Sequence, residues 1–248
     1  MIGALLAAAA QLFDDGNAAH LAGDPARAVA AYEAVLAEGI RSPELETNLG
    51  AAYLRQGRRG LAALHFERAL ALAPGDDDAR ADLNEVRRTN VDKLEGAEEQ
   101  GPAEILIRVL APLPGGPAAF ALLGAWSLLW ALVALMALRP ASLAGAPLGA
   151  LAIGCLVLSA LGGAVVAGSA AARAIAARRA VVVAAAAPAR EGPTAKSAST
   201  FEVHEGTAVS IEDAAAGFAR IKLANGLTGW VEAGALERVV PEGWGWRG

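Results

Sequence analysis

Cysteine is nearly missing from this chain of 248 residues: Cys155 stands alone. A single thiol excludes an intramolecular disulfide and a Cys-rich zinc centre, and it leaves the redox compartment unread. Histidine is almost as scarce, with only His20, His65 and His204. No Ser-His-Asp set, phosphate-binding loop, metal-ligand cluster or paired acid/base spacing accompanies them. A binding role is therefore expected, with no catalytic residue, metal or cofactor. Positive charge is not in excess either. Lys and Arg number 21 against 26 Asp and Glu, a formal net charge of −5, which argues against nucleic acid as a partner. What the chain does have is apolar content, 55% of its residues, much of it Ala. The mean hydropathy of +0.39 is high for a soluble protein and calls for a lipid bilayer.

A step of 34 residues runs through the N-terminal third. Gly16 recurs as Gly50, Gly23 as Gly57, Ala28 as Ala62, and Tyr32 as Phe66. The pattern resembles the tetratricopeptide repeat, which has this period and this order of small, aromatic and proline positions. Two repeats are expected at residues 9–42 and 43–76, with a solvating helix over 77–94 opened by Asp76 to Asp78 as N-cap carboxylates. The whole repeat domain is expected over 1–95. Gly16 and Gly50 would let paired helices approach closely, and Tyr32 and Phe66 would fill the gap between neighbouring repeats. Gly23-Asp24 and Gln56-Gly57 are turn chemistry. Pro74 closes the second unit, where the first has Ile40.

By that resemblance, the first helix of each hairpin lines a groove that binds a protein or peptide partner. The groove-facing positions would be Phe13, Asn17, His20 and Leu21, then Thr47, Asn48, Ala51, Leu54 and Arg55. Asn17 and Asn48 fall on two Asn positions with which some repeat domains hold a C-terminal carboxylate. The basic positions of that clamp are occupied by Phe13, Asp78 and Asp82, so a carboxylate-specific clamp is not expected. The two amides are suited to a peptide backbone, although Asn48 reads equally well as a helix-surface residue. His20 reads as a groove or surface histidine.

After a linker over 96–116, residues 117–138 carry no charge for 22 residues, enough to cross a hydrocarbon layer of ~30 Å. Residues 147–172 are again uncharged. The short link predicts an antiparallel transmembrane hairpin over 117–172, with both flanks on one side. Small residues recur at Gly124, Ser127, Ala131 and Ala134, and at Cys155, Ser159, Gly163 and Ala167. They read either as a packing stripe or as the Ala/Gly bias of the chain. No ionisable residue lies inside either span, which argues against an ion pathway. Orientation stays open. Arg108, Arg173, Arg178 and Arg179 in the flanks outnumber Arg139 in the link, favouring cytoplasmic flanks. The opening "MIGALLAAAA" reads either as the tail of a secretory signal, which would put the flanks outside, or as the leading helix of the first repeat.

Residues 173–240 read as a leading linker followed by short alternating strands, ahead of a tail at 241–248 containing Trp244 and Trp246. Asn225-Gly226 predicts a hairpin, and five or six strands in so short a stretch imply a small barrel. The spacing of "HEGTAVSI", "GFARIKLANG" and "GLTGWVEAGALE" resembles the bacterial SH3-like domain. Trp230, in its Gly-Trp pair, is either a contact for a ligand or the lid of the barrel core, and the core reading is favoured. His204-Glu205 reads as a strand-end pair before a glycine turn.

The fold expected is thus multi-domain α plus β: helical tetratricopeptide repeats, a transmembrane hairpin and a small SH3-like barrel. That order resembles the aerotolerance-operon BatE-like family. The resemblance rests on "NLGAAYLRQGRRGLAALHFERALALAPGDDDAR", on "VDKLEG" before the apolar segments, and on "VHEGTAVSIED" through "GWVEAGALE". It implies a scaffold in the bacterial inner membrane, beside membrane proteins with von Willebrand factor A domains and a MoxR-type AAA+ ATPase, serving stress tolerance or envelope maintenance. It also implies repeats and barrel outside the cytoplasm. The alternative is an envelope sensor whose SH3-like domain binds cell-wall peptide.

Overall fold

The computed structural model describes residues 2–90, 92, 115–138 and 146–241. The link at Arg139, most of the 96–116 linker with Arg108, the end of the capping helix and the Trp244–Trp246 tail lie outside the described residues.

Five helices come first: α1 (Ile2–Leu21), α2 (Pro25–Ala37), α3 (Pro43–Arg55), α4 (Arg59–Leu72) and α5 (Asp77–Arg88). Their boundaries follow from local chemistry. Pro25 and Pro43 start helices behind Asp24 and Ser42, whose side chains accept the N–H groups of Arg27 and Leu45. Asp76 Oδ1 accepts from Ala79 N at 3.0 Å and opens α5. Gly23 and Gly57 take φ near +75° in the two turns, where a side chain would be strained.

The helices pair as hairpins α1–α2 and α3–α4, with α5 on α4. A Cβ on Gly50 would lie 2.8 Å from the Phe66 ring, and one on Gly16 would collide with Tyr32. The aromatics are expected between neighbouring repeats. Instead each ring lies over the glycine of its own hairpin, because the missing side chain leaves a slot one ring thick.

Two apolar helices follow, α6 (Gly115–Leu138) and α7 (Ala146–Arg178). Ile153–Arg178 is long and apolar enough to cross a membrane by length and composition, and Ala119–Ala134 is a shorter apolar helix. The pair approaches at Gly162, where a Cβ would be 3.2 Å from Leu122 Cβ, whereas Gly124 and Gly163 of the expected stripes face open space.

Helix α7 ends at Arg178 and strand β1 begins at Arg179, so the expected leading linker is helix. Seven antiparallel strands follow: β1 (Arg179–Val182), β2 (Ala186–Arg190), β3 (Ser199–His204), β4 (Ala208–Ala215), β5 (Phe218–Lys222), β6 (Thr228–Glu232) and β7 (Leu236–Arg238). Their order is β3-β2-β6-β5-β4-β1-β7. One face buries Ala180, Val182, Val203, Val209, Ile221 and Val231.

The sheet is open, not the closed barrel expected, with β3 and β7 at its edges. Arg68 of α4 donates to the carbonyls of Arg238 and Val239 beside β7. Asp92, beyond α5, accepts the backbone N–H of His204 at the end of β3.

The described residues form two compact units. One joins the five helices before the apolar pair to the sheet after it; the other contains the apolar pair. In the first, Val181, Val239 and Val240 share a core with Leu64, Leu83 and Val86. Every residue of α4 from Ala62 to Ala69 is buried, since the sheet takes the side that a repeat helix would otherwise turn to water.

Candidate partner-binding groove

The positions expected to face a groove lie on α1 and α3, most of them half-buried. Asn17 and Asn48 meet: Asn48 Nδ2 donates to Asn17 Oδ1 at 3.1 Å, and the Tyr32 hydroxyl donates to the same oxygen at 2.8 Å. Phe13 packs on Tyr32 with ring centroids 5.8 Å apart. Asn17 Oδ1 is thus spent inside the protein. Asn17 Nδ2 and Asn48 Oδ1 have no partner among the described residues. An amide N–H and an amide C=O are groups that can pair with a peptide backbone.

His20 lies in the last turn of α1. Its carbonyl accepts from Arg55 Nη1 at 3.0 Å, joining α1 to α3. Its Nδ1 and the hydroxyl of Thr47 are buried without a hydrogen-bond partner among the described residues. Burial, then the Arg55 charge, pushes the His20 pKa down, so its ring favours the neutral form. Ala51 and Leu54 are half-buried against the repeat core. Leu21, the last residue of α1, is 86% exposed and stands apart from the amide pair. The Tyr32 hydroxyl is the one polar member of this cluster that the pattern reading misses; there the residue counts only as a space-filling ring.

Trp230 does not close the sheet core. Gly229 and Val231 face inward, where a Cβ on Gly229 would lie 2.9 Å from Ala189 Cβ. Strand alternation turns Trp230 to the opposite face, half-buried and opposite Arg190 and Arg220 in the ladder.

Three polar clusters tie the first unit together, and none has a sequence signal. Buried Glu46 meets His65 Nδ1 at 2.7 Å and Arg41 at 3.0 Å. Buried Glu67 meets Arg87 at 2.7 Å and Arg179 at 3.4 Å. Burial alone would raise the Glu67 carboxyl, but the Arg179 and Arg87 guanidiniums hold it below the usual range. Asp92 accepts from His204 N, binds His204 Nδ1 at 2.8 Å and accepts from the Thr207 hydroxyl at 2.8 Å. Those bonds outweigh burial and depress its carboxyl too. Glu205 Oε2 accepts from Gly60 N at 3.2 Å. It thereby caps α4, which has no side-chain cap of its own. Among the described residues, no group of three or more His, Cys, Asp or Glu is placed to hold a metal ion.

The family model of the tetratricopeptide repeat matches residues 43–76, the α3–α4 hairpin and its closing turn. No curated protein and no solved structure matches the chain.

Proposed function

We propose that this protein is a membrane-anchored, non-enzymatic scaffold whose repeat groove holds a partner peptide or helix. The interaction role rests on the matched repeat, since such repeats generally bind proteins. The polar ends left free at Asn17 and Asn48 give the groove a way to hold a backbone.

One observation carries the anchoring: a single core is built from residues on both sides of the apolar pair. Residues sharing a core share a compartment, so the chain between them crosses a bilayer an even number of times. If α7 crosses, α6 crosses as well, which supports a two-pass protein of the inner membrane. The BatE-like resemblance adds the finer reading: partners among von Willebrand factor A membrane proteins and a MoxR-type AAA+ ATPase, in an envelope or stress-tolerance complex. Trp230, on the outer face of an SH3-like sheet, supplies the second contact, and two weak contacts on one anchored chain gain avidity. The resemblance favours the extracytoplasmic side, and Arg173, Arg178 and Arg179 favour the cytoplasmic one.

Cysteine labelling tests topology and side together. Cys155 is replaced by Ala, and a single Cys is placed at Ser199 on β3 or at Asn84 on α5, both exposed. A membrane-impermeant maleimide should label both positions in intact cells, or both only after lysis. Labelling of one without the other, or release of the protein by alkaline carbonate, would sink the two-pass reading.

A further inference from the structure

The arginines up to residue 90 fall into two groups. Arg41, Arg68, Arg80, Arg87 and Arg88 each meet a carboxylate. Arg27, Arg55, Arg58 and Arg59 have no ion pair among the described residues, and all are exposed. The unpaired group is gathered at one edge. Gln56 Nε2 donates to Pro25 O at 3.0 Å and Arg55 Nη1 to His20 O at 3.0 Å, so the α3–α4 turn lies against the α1–α2 turn. Arg58 rests over the Tyr53 ring, 5.2 Å from its centroid, with its charge still unanswered by an acid. Two carboxylates accompany the arginines, each occupied by a backbone N–H. Asp24 Oδ1 accepts from Arg27 N at 3.0 Å, and Glu205 Oε2 accepts from Gly60 N at 3.2 Å. The edge is therefore cationic in a chain whose formal net charge is −5.

A second observation lies in the same place. Leu21 follows His20, whose carbonyl holds Arg55, and it is 86% exposed. A lone exposed leucine is ordinary. One set among unpaired arginines suits a lipid interface, where an aliphatic group enters the acyl boundary and the surrounding cations meet the headgroups. A guanidinium also offers a phosphate two parallel N–H groups. Resting on the membrane anchoring above, we infer that this edge docks on anionic lipid, with Leu21 at the acyl boundary and Arg27, Arg55, Arg58 and Arg59 on headgroup phosphates. An acidic peptide would answer the charges but not Leu21.

The full chain, with Cys155→Ala and Ala22→Cys carrying an environment-sensitive dye, is placed in nanodiscs of phosphatidylcholine alone or with phosphatidylglycerol added. Ala22 is exposed beside Leu21. Its dye should move to shorter emission wavelength in the anionic discs only. A dye at Glu38, exposed at the other end of α2, should not move. Loss of each arginine should weaken docking about five-fold, the scale of one cation at an anionic surface. Arg27→Gln with Arg59→Gln should therefore abolish most of the shift at an unchanged melting temperature, since neither side chain makes a hydrogen bond or ion pair among the described residues. Leu21→Ser should reduce it. Equal emission in the two discs, a shift shared by Glu38, or one that survives the double arginine change overturns the inference and leaves the anchoring intact. So does a shift brought on in neutral discs by an acidic heptapeptide and absent with phosphatidylglycerol. A chain that enters neither disc removes the anchoring reading and this inference with it.

Discussion

The two hairpins share one plan and live in different surroundings. In α2 the buried residues are Ala28, Val29, Tyr32 and Val35, a single stripe. In α4 burial is continuous from Ala62 to Ala69. The aligned positions account for the difference. Gly60 stands where α2 has Ala26, His65 where it has Ala31, and Arg68 where it has Ala34, while Glu67 and Glu33 are alike. Only α4 carries a sheet on its far side. Its glycine lets β1 come close, and its buried polar groups are each satisfied by α3, α5 or the sheet. A repeat helix can thus become the centre of a mixed domain without losing its repeat-facing stripe.

Breaking the buried charge cluster should separate the hairpins most. Glu67→Ala leaves Arg87 and Arg179 facing an emptied, buried site and should cost about 3–5 kcal/mol. Glu33→Ala, at the matching place on α2, loses one part-buried bond from the Tyr53 hydroxyl, about 1 kcal/mol. Chemical unfolding of both variants in detergent gives the comparison, and equal costs would refute it.

Glycine exchange comes next. A Cβ on Gly60 would lie 2.9 Å from Val182 O and 3.2 Å from Glu205 Cβ. Gly60→Ala, which copies the first repeat, should cost about 1–3 kcal/mol, because overpacking outweighs the gain in helix propensity. Ala26→Gly, the reverse copy at an exposed position, should cost about 1 kcal/mol through helix propensity alone. Thermal melts rank the pair. An extra methyl in a helix ordinarily stabilises, so a raised melting temperature in Gly60→Ala would remove the case for a close approach there.

Acid should loosen the enclosed hairpin first. Glu67 and Asp92 have folded-state pKa values below the ordinary 4.5 and 3.8. The unfolded chain therefore takes up protons before the folded one. The stabilisation is complete above about pH 4.5 and is lost as pH falls through the depressed values. Unfolding midpoints from pH 7 to pH 3 should drop less steeply in Glu67→Gln than in the unaltered chain.

The smallest effect sharpens a contrast between helices and sheet. The helical turns place Gly23, Gly39 and Gly57 at positive φ, whereas the β4–β5 hairpin places Ala216 at φ 51° before Gly217. Ala216→Gly should raise stability by roughly 0.4–1 kcal/mol, measurable as a small upward shift in melting temperature.

What could be read beforehand was local or periodic. The 34-residue step located the α3–α4 hairpin, proline and Asp marked helix starts, and Asn225-Gly226 marked the β5–β6 turn. The β4–β5 turn was hidden because Ala216 is not a residue that usually accepts positive φ. A ring as large as that of Trp230 reads as core, while the alternation that turns it outward depends on Gly229 being the buried neighbour. The clusters Glu67–Arg179, Arg68–Glu237 and Asp92–His204 join residues more than a hundred positions apart, and no pattern within one chain announces them. The open sheet, too, could not be told from strand spacing, because a run of short strands is equally compatible with a closed barrel and an open sheet. The positions expected to face a groove fall on α1 and α3, but the sharing of Asn17 Oδ1 between Tyr32 and Asn48 needed three helices at once.

The division of one core between the two ends of the chain also sets an order of events in the cell. When α4 leaves the ribosome, the strand that will cover it is still unmade. From Leu72 to Arg238 the ribosome has 166 residues to add, roughly ten to thirty seconds of synthesis. Through that interval the first half lacks Val181, Val239 and Val240 of the shared core, while both apolar helices are made. Completion of the fold therefore follows the synthesis of both apolar helices, and a chain that stalls before β1 presents an unfinished surface to chaperones and proteases.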